Sequence, residues 1–73
     1  MMNNLAILGR RIRSYRLLKG WSQETLALEA KINKNYLSDL ERGNRNPTFL
    51  ILSKICHALN ISFTDLFSDF NLP

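Results

Sequence analysis

Ser22-Gln23-Glu24-Thr25-Leu26-Ala27-Leu28-Glu29-Ala30-Lys31-Ile32-Asn33-Lys34-Asn35-Tyr36-Leu37-Ser38-Asp39-Leu40-Glu41-Arg42 is the stretch that decides the fold. Ser22 is a good N-cap, because its hydroxyl accepts from the unpaired N–H groups at a helix start, and Glu24 puts an acid in the first turn. Leu26, Ala27 and Ala30 share one face, so the spacing predicts a short helix over about residues 22–29. Lys31-Ile32-Asn33 is a tight link in which Ile32 plugs the angle between helices and Asn33 caps the second of them. That second helix is expected over 34–42, with Leu37, Leu40 and part of Tyr36 turned inward and Gly43 as its stop.

Upstream, Leu5, Leu8, Ile12 and Tyr15 hold one helix face through residues 5–19. Gly20 suits the left-handed closing position, Lys19 favours the last turn, and Trp21 folds back as an apolar plug. Downstream, Asn44-Arg45-Asn46-Pro47 is the one obvious loop. Thr48 caps a fourth helix whose inward residues are Phe49, Leu52, Ile55, Cys56 and Leu59, and Asn60 stops it. Ser62-Phe63-Thr64-Asp65 has the form of a capping box opening a fifth helix, with Leu66 and Phe67 continuing the apolar face. The sequence has no strand-like alternation and no internal repeat. The expected fold is therefore all-α, a compact five-helix bundle in one domain spanning 1–73.

Seventy-three residues, 45% of them hydrophobic, make a domain too small to enclose an active-site cavity within a large core. Cys56 is the only cysteine. One thiol closes no internal disulfide and starts no zinc knuckle, so no metal is expected and a reducing compartment is the natural setting. His57 neighbours Cys56 on a helix and points elsewhere, and no carboxylate pair is present; no catalytic residue and no cofactor is expected. Met1-Met2-Asn3-Asn4 lacks the positive region and apolar run of a secretory signal, and nothing approaches the ~20 apolar residues of a membrane span. A cytoplasmic protein with no membrane partner and no small-molecule effector is the expectation. The opening methionine and the lack of polar extensions fit a complete small protein.

The net charge is +4 and is unevenly placed. Residues 1–46 carry nine Lys/Arg against Glu24, Glu29, Asp39 and Glu41, giving +5, whereas residues 47–73 carry Lys54 against Asp65 and Asp69, giving −1. The basic half is where a polyanion would dock, although a charge this modest also describes ordinary solvated surface. Two short helices joined by three or four residues make a helix-turn-helix, in which one helix braces on the DNA backbone while the next enters the major groove. An ordinary helical bundle has the same spacing. Residue identity separates the two. The runs Ser22-Gln23-Glu24-Thr25-Leu26-Ala27, Asn35-Tyr36-Leu37-Ser38-Asp39-Leu40-Glu41-Arg42-Gly43 and Arg45-Asn46-Pro47 resemble the phage Cro and repressor type of helix-turn-helix family, also called xenobiotic-response-element-like. The resemblance extends from Ile12-Arg13-Ser14-Tyr15-Arg16 to Ala58-Leu59-Asn60-Ile61-Ser62 and Leu66-Phe67. Asn60 stands where the family commonly has glycine, a mild departure because asparagine tolerates a left-handed cap. Tyr36-Leu37-Ser38 followed by Leu40-Glu41-Arg42 resembles the controller proteins of restriction-modification systems, short stand-alone dimeric regulators; antitoxins and phage repressors share much of the pattern.

Base edges are read from the first turn of the second helix of such a motif. Lys34 and Asn35 are the first choices, since lysine suits guanine O6 and N7 while asparagine pairs with adenine N6 and N7. Asn33 caps, reads, or does both. Tyr36 lies against a thymine methyl, reaches a phosphate, or packs partly in the core. Ser38 is a further contact, and Asp39, which phosphate would repel, tunes the helix or bonds cytosine. Ser22 and Gln23 are expected on a backbone phosphate with help from the helix N–H groups, Gln23 matching the glutamine that does this in the family. Arg42, Asn44, Arg45 and Asn46 would clamp a second phosphate, with Asn46 alternatively only holding the turn. The resemblance implies that Arg16 and Glu41 form a structural ion pair. Arg10, Arg11, Arg13 and Lys19 are expected on a solvated face.

Leu50, Ile51, Phe63, Phe70 and Leu72 exceed what a small core absorbs. Helices four and five are therefore expected to form an isologous homodimer through Leu50, Ile51, Ile61, Phe63 and Phe70, setting two recognition helices about 34 Å apart for a palindromic operator in double-stranded DNA. The rival reading is a protein-interaction module on the same fold, such as an antitoxin whose main partner is a toxin.

Overall fold

Each of the five helices begins on a side chain that accepts a backbone N–H. In the computed structural model, which describes residues 3–68, these are α1 (Asn4–Leu18), α2 (Gln23–Ala30), α3 (Lys34–Glu41), α4 (Phe49–Leu59) and α5 (Phe63–Phe67). Asn3, Ser22, Asn33, Thr48 and Ser62 are the N-caps, each accepting from the amide three residues on. A cap of this kind contributes about 1 kcal/mol. Asn3 is an unexpected cap, and it starts α1 one residue early. At Ser62 the expected capping box is complete: Ser62 N–H donates to Asp65 Oδ2 at 3.0 Å and Asp65 N–H to Ser62 Oγ at 2.9 Å.

Helices α1 to α4 all end in the same closure. The amides of Trp21, Ile32, Asn44 and Ile61 reach back to the carbonyls of Arg16, Ala27, Asp39 and Cys56 at 2.9–3.2 Å. Each closure turns on a left-handed residue, Gly20, Lys31, Gly43 or Asn60, with φ of 72°, 58°, 79° and 57°. Gly20, Gly43 and Asn60 are the expected stops. Lys31 is not one of them, and a lysine in that region carries strain on the order of 1–2 kcal/mol. Trp21 and Ile32, each just past a closure, pack half-buried against the core.

Ile12, Leu26, Leu37, Leu40, Ile55 and Leu66 are fully enclosed. They come from all five helices: α1 packs on α3 and α5, α2 on α3 and α4, and α4 on α5. Cys56 belongs to this interior, where burial and then the Asp65 carboxylate push its thiol above the ordinary 9.0. At Gly9 the approach is between backbones. A Cβ on Gly9 would lie 2.4 Å from the Leu40 carbonyl oxygen and 2.6 Å from that of Glu41. On the same side a Cβ on Gly43 would meet Ala6 Cα at 2.8 Å. Two glycines thus let α1 sit directly on the end of α3.

Arg16 and Glu41 are the buried charged residues of the described chain. Arg16 Nε donates to Glu41 Oε2 at 2.8 Å and Nη2 to Oε1 at 2.9 Å, while Nη1 donates to the Trp21 carbonyl at 2.8 Å.

Two expectations need correction. Phe49 does not face inward: it is 74% exposed, and its ring lies 4.9 Å from that of Phe63. It is the first residue of α4, and only at Leu52, one turn on, does that face reach the core. Arg11 is not simply solvated. Its Nε donates to the Leu66 carbonyl at 2.6 Å, and its Nη2 donates to the Asp65 carbonyl at 2.7 Å and to Ser68 Oγ at 2.9 Å. Tyr15 Oη donates to the Asp65 carbonyl at 3.1 Å. Five residues are too few for α5 to satisfy its own carbonyls, so α1 supplies donors and a positive charge at its C-terminal end.

Gly9→Ala is expected to cost about 1–3 kcal/mol or more in urea unfolding, because the atoms it meets are backbone and cannot rotate away. Glu41→Gln leaves a guanidinium in the interior without its counter-charge and should cost roughly 3–5 kcal/mol, whereas the double replacement Arg16→Met with Glu41→Met recovers much of that loss. The Ser62 backbone N–H, and then its hydroxyl, hold the Asp65 carboxyl below the ordinary 3.8. The folded value being the lower one, this stabilisation is present at neutral pH and disappears as pH falls through that lowered value. Asp65→Asn should flatten the acid limb of a stability-against-pH curve.

Candidate nucleic-acid interface

The eight residues of α3 divide cleanly by burial. Leu37, Leu40 and Glu41 are buried, Lys34 and Asn35 are exposed, and Tyr36, Ser38 and Asp39 lie half-buried between them. A helix turns about 100° per residue, so 34, 35, 38 and 42 fall on the outward side while 37, 40 and 41 face the core. The first outward turn therefore presents a lysine and an asparagine, the pair expected to meet base edges. Asn33, one residue earlier, is exposed and its Oδ1 accepts from the Tyr36 amide at 3.0 Å. Of the roles open to it, capping is the one its carbonyl oxygen performs.

Two groups of residues expected on phosphate precede and follow α3 in the chain. At the start of α2, Ser22 Oγ accepts from Thr25 N–H at 3.1 Å and is 3.0 Å from Thr25 Oγ1. Gln23 is half-buried, and its Nε2 donates to Glu41 Oε1 at 3.0 Å. The glutamine expected on phosphate is therefore also the third arm on the buried carboxylate, a link that 18 residues of sequence separation conceals. Beyond the end of α3, Asn44, Arg45 and Asn46 are exposed in the loop before Pro47, with the Asn44 amide fixed to the Asp39 carbonyl at 2.9 Å.

Asp39 gathers the groups at that end. Arg42 Nη2 donates to Asp39 Oδ1 while Arg42 Nη1 donates to Ser38 Oγ at 2.8 Å. Arg45 Nε stands 3.5 Å from Asp39 Oδ2, and the Arg45 guanidinium carbon is 5.3 Å from the centroid of the Tyr36 ring. The three-residue spacing of Asp39 and Arg42 signals a helix-surface pair in advance. The Arg45 contacts are not signalled, because they depend on the chain turning back at Gly43.

On α4 and α5, Phe49 and Leu50 are 74% and 62% exposed, and the Phe63 and Phe67 rings lie 6.4 Å apart. Of the residues expected to meet a second copy, Leu50 is open, Ile51, Ile61 and Phe63 are half-buried against the chain's own core, and Phe70 lies outside the described residues. Leu72 does too. No helix is long and apolar enough to cross a membrane among the described residues, and no group of three or more His, Cys, Asp or Glu there is arranged to hold a metal.

The family described as helix-turn-helix matches residues 12–66. The chain is 43% identical over 68 residues to the control protein C.BamHI of Bacillus amyloliquefaciens, covering 90% of this chain and 84% of that one. It is 44% identical over 62 residues to the transcriptional regulator SlrR of Bacillus subtilis; that match takes in 84% of this chain but only 41% of SlrR. Among solved structures, the restriction-modification controller protein C.AhdI of Aeromonas hydrophila superposes with a TM-score of 0.86 at 39% identity, covering 88% of this chain and 97% of that one. The controller protein C.Esp1396I, solved as a tetramer with its natural 35 base-pair operator, superposes with a TM-score of 0.83 at 33% identity over 92% of this chain and 88% of that one. The chain belongs to the Cro and repressor type of helix-turn-helix family, and its relatives there include the controller proteins of restriction-modification systems.

Proposed function

We propose that this chain is a sequence-specific regulator of transcription, a non-catalytic cytoplasmic protein that binds a palindromic operator in double-stranded DNA as a homodimer, in the manner of a restriction-modification controller. The observation that carries this reading is the exposed Lys34-Asn35 turn at the start of α3, held on a buried ion pair and flanked by polar groups at both ends. Lys34 and Asn35 read bases, with Asn33, Tyr36 and Ser38 beside them. Ser22 and Gln23 hold one phosphate, and Arg42, Asn44, Arg45 and Asn46 a second. The whole of 1–73 serves as one DNA-binding domain. Phe49, Leu50 and Phe63 form an apolar ledge on α4 and α5 that a second copy would cover, with Ile51 and Ile61 at its edge. The operator complex of C.Esp1396I supports the partner.

Selecting bound sequences from a random duplex pool tests the proposal. The wild-type chain should enrich a two-fold symmetric sequence, and Lys34→Ala should relax the preference at one base position in each half-site, at a cost of roughly 1–3 kcal/mol. Gln23→Ala should weaken all sequences alike. Because Gln23 also donates to Glu41, that variant is expected to lose about 1 kcal/mol of stability, which unfolding measurements separate from the loss of contact. A chain that enriches no sequence would favour the protein-interaction module.

A further inference from the structure

An aspartate at the edge of the outward side of a recognition helix, half-buried beside Ser38, is out of place on electrostatic grounds, because phosphate repels it. Asp39 is not tucked away: its side chain is 32% exposed, and it meets two of the arginines assigned to phosphate, Arg42 and Arg45. These arginines are themselves largely open, at 60% and 52%. Arg42 also holds Ser38 Oγ, and the Arg45 guanidinium lies over the Tyr36 ring. The residues of the reading side and those of the positioning loop are therefore joined through one carboxylate.

We propose that Asp39 is a specificity-determining residue, which holds Arg42 and Arg45 back from phosphate and offsets the resulting cost only on a duplex that places a base-edge donor opposite it. This rests on the DNA-binding reading of α3. On an unmatched duplex each arginine must leave Asp39 to reach a phosphate, and the carboxylate is then left facing a polyanion with no donor. On a matched duplex the exocyclic amine of cytosine or adenine donates to it, as carboxylates at base edges accept in the major groove. Non-specific affinity, which comes almost wholly from phosphate contacts, is thereby suppressed more than specific affinity. Ser38 and Tyr36 keep the released arginines near their starting positions, so the exchange needs side-chain movement alone.

The test compares wild type and Asp39→Asn on the selected operator and on a scrambled duplex, across a salt series. Asp39→Asn should bind the scrambled duplex roughly three- to tenfold more tightly, the scale of two exposed ion pairs, with less gain on the operator, so that discrimination falls. The slope of log affinity against log salt on the scrambled duplex should steepen by about 0.9 for each arginine released. Sequence selection with Asp39→Asn should lose a cytosine or adenine preference at one position. Adding Arg42→Gln and Arg45→Gln to Asp39→Asn should abolish the gain on scrambled DNA, which separates release of the arginines from a general change in charge. Equal effects on both duplexes, or none, would overturn the role of Asp39. A wild-type chain that selects no sequence overturns the DNA-binding reading itself, and the role of Asp39 with it.

Discussion

A guanidinium facing a carboxylate inside a 73-residue chain sets the pose of the helix on which everything outward depends. Eight residues are too few for α3 to be helical alone, since helices this short are marginal in water, so its direction is imposed by what it rests on. Arg16 brings two N–H groups from α1 to Glu41 at the last turn of α3, and Gln23 adds a third from the first turn of α2. Such a pair adds little net stability over well-packed apolar residues, because both charges lose their hydration. Its value lies in geometry: three helices are referred to one carboxylate, and a fork-on-fork contact tolerates little rotation.

That dependence also couples the two kinds of contact assigned to the surface. Gln23 lies at the start of α2, which the proposal assigns to a phosphate, and Glu41 lies on the inward side of the helix whose outward side carries Lys34 and Asn35. The depth at which α3 would enter a groove and the height at which α2 would meet the backbone are therefore one setting. The two acids near the end of α3 are treated in opposite ways. Glu41 is neutralised in the interior by an arginine from another helix, whereas Asp39 remains outside, shared between two arginines of its own neighbourhood. The outward side is consequently not uniformly positive, and its polarity changes along one helix.

How far the sequence can be read depends on the range of the interaction. Most contacts closed within three to five residues are legible: the caps at Ser22, Asn33, Thr48 and Ser62, the left-handed stops at Gly20, Gly43 and Asn60, and the capping box at Asp65, with the Asn3 cap and the left-handed Lys31 as exceptions. Their chemistry is local, and residue type nearly determines it. The pairing of Arg16 with Glu41, 25 residues apart, comes from family resemblance and from nothing in the spacing. Gly9 looks like any helix-interior residue, because the need for glycine arises only from what crosses it. Arg11 reads as surface because its partners include backbone carbonyls, which no side-chain pattern announces. Phe49 keeps the correct period and is still misplaced, since periodicity identifies a face but not where along the helix the core begins. Within the candidate site the exposed side of α3 is legible, while the link from Gln23 to Glu41 and the meeting of Arg45 with Asp39 require the chain to be folded first.

The contact at Gly9 bears on how the protein can change over generations. Where helices are spaced by side chains, exchanging a leucine for a methionine or a valine shifts one helix against another. Here α1 and the end of α3 are spaced by main-chain atoms, with the Gly9 backbone against the carbonyls of Leu40 and Glu41. The interior around Ile12, Leu37 and Ile55 is therefore free to drift in composition without moving the recognition helix relative to α1. Sequences with different cores are expected to keep the same stance on DNA as long as Gly9 and Gly43 stay bare and the Arg16–Glu41 pair is kept.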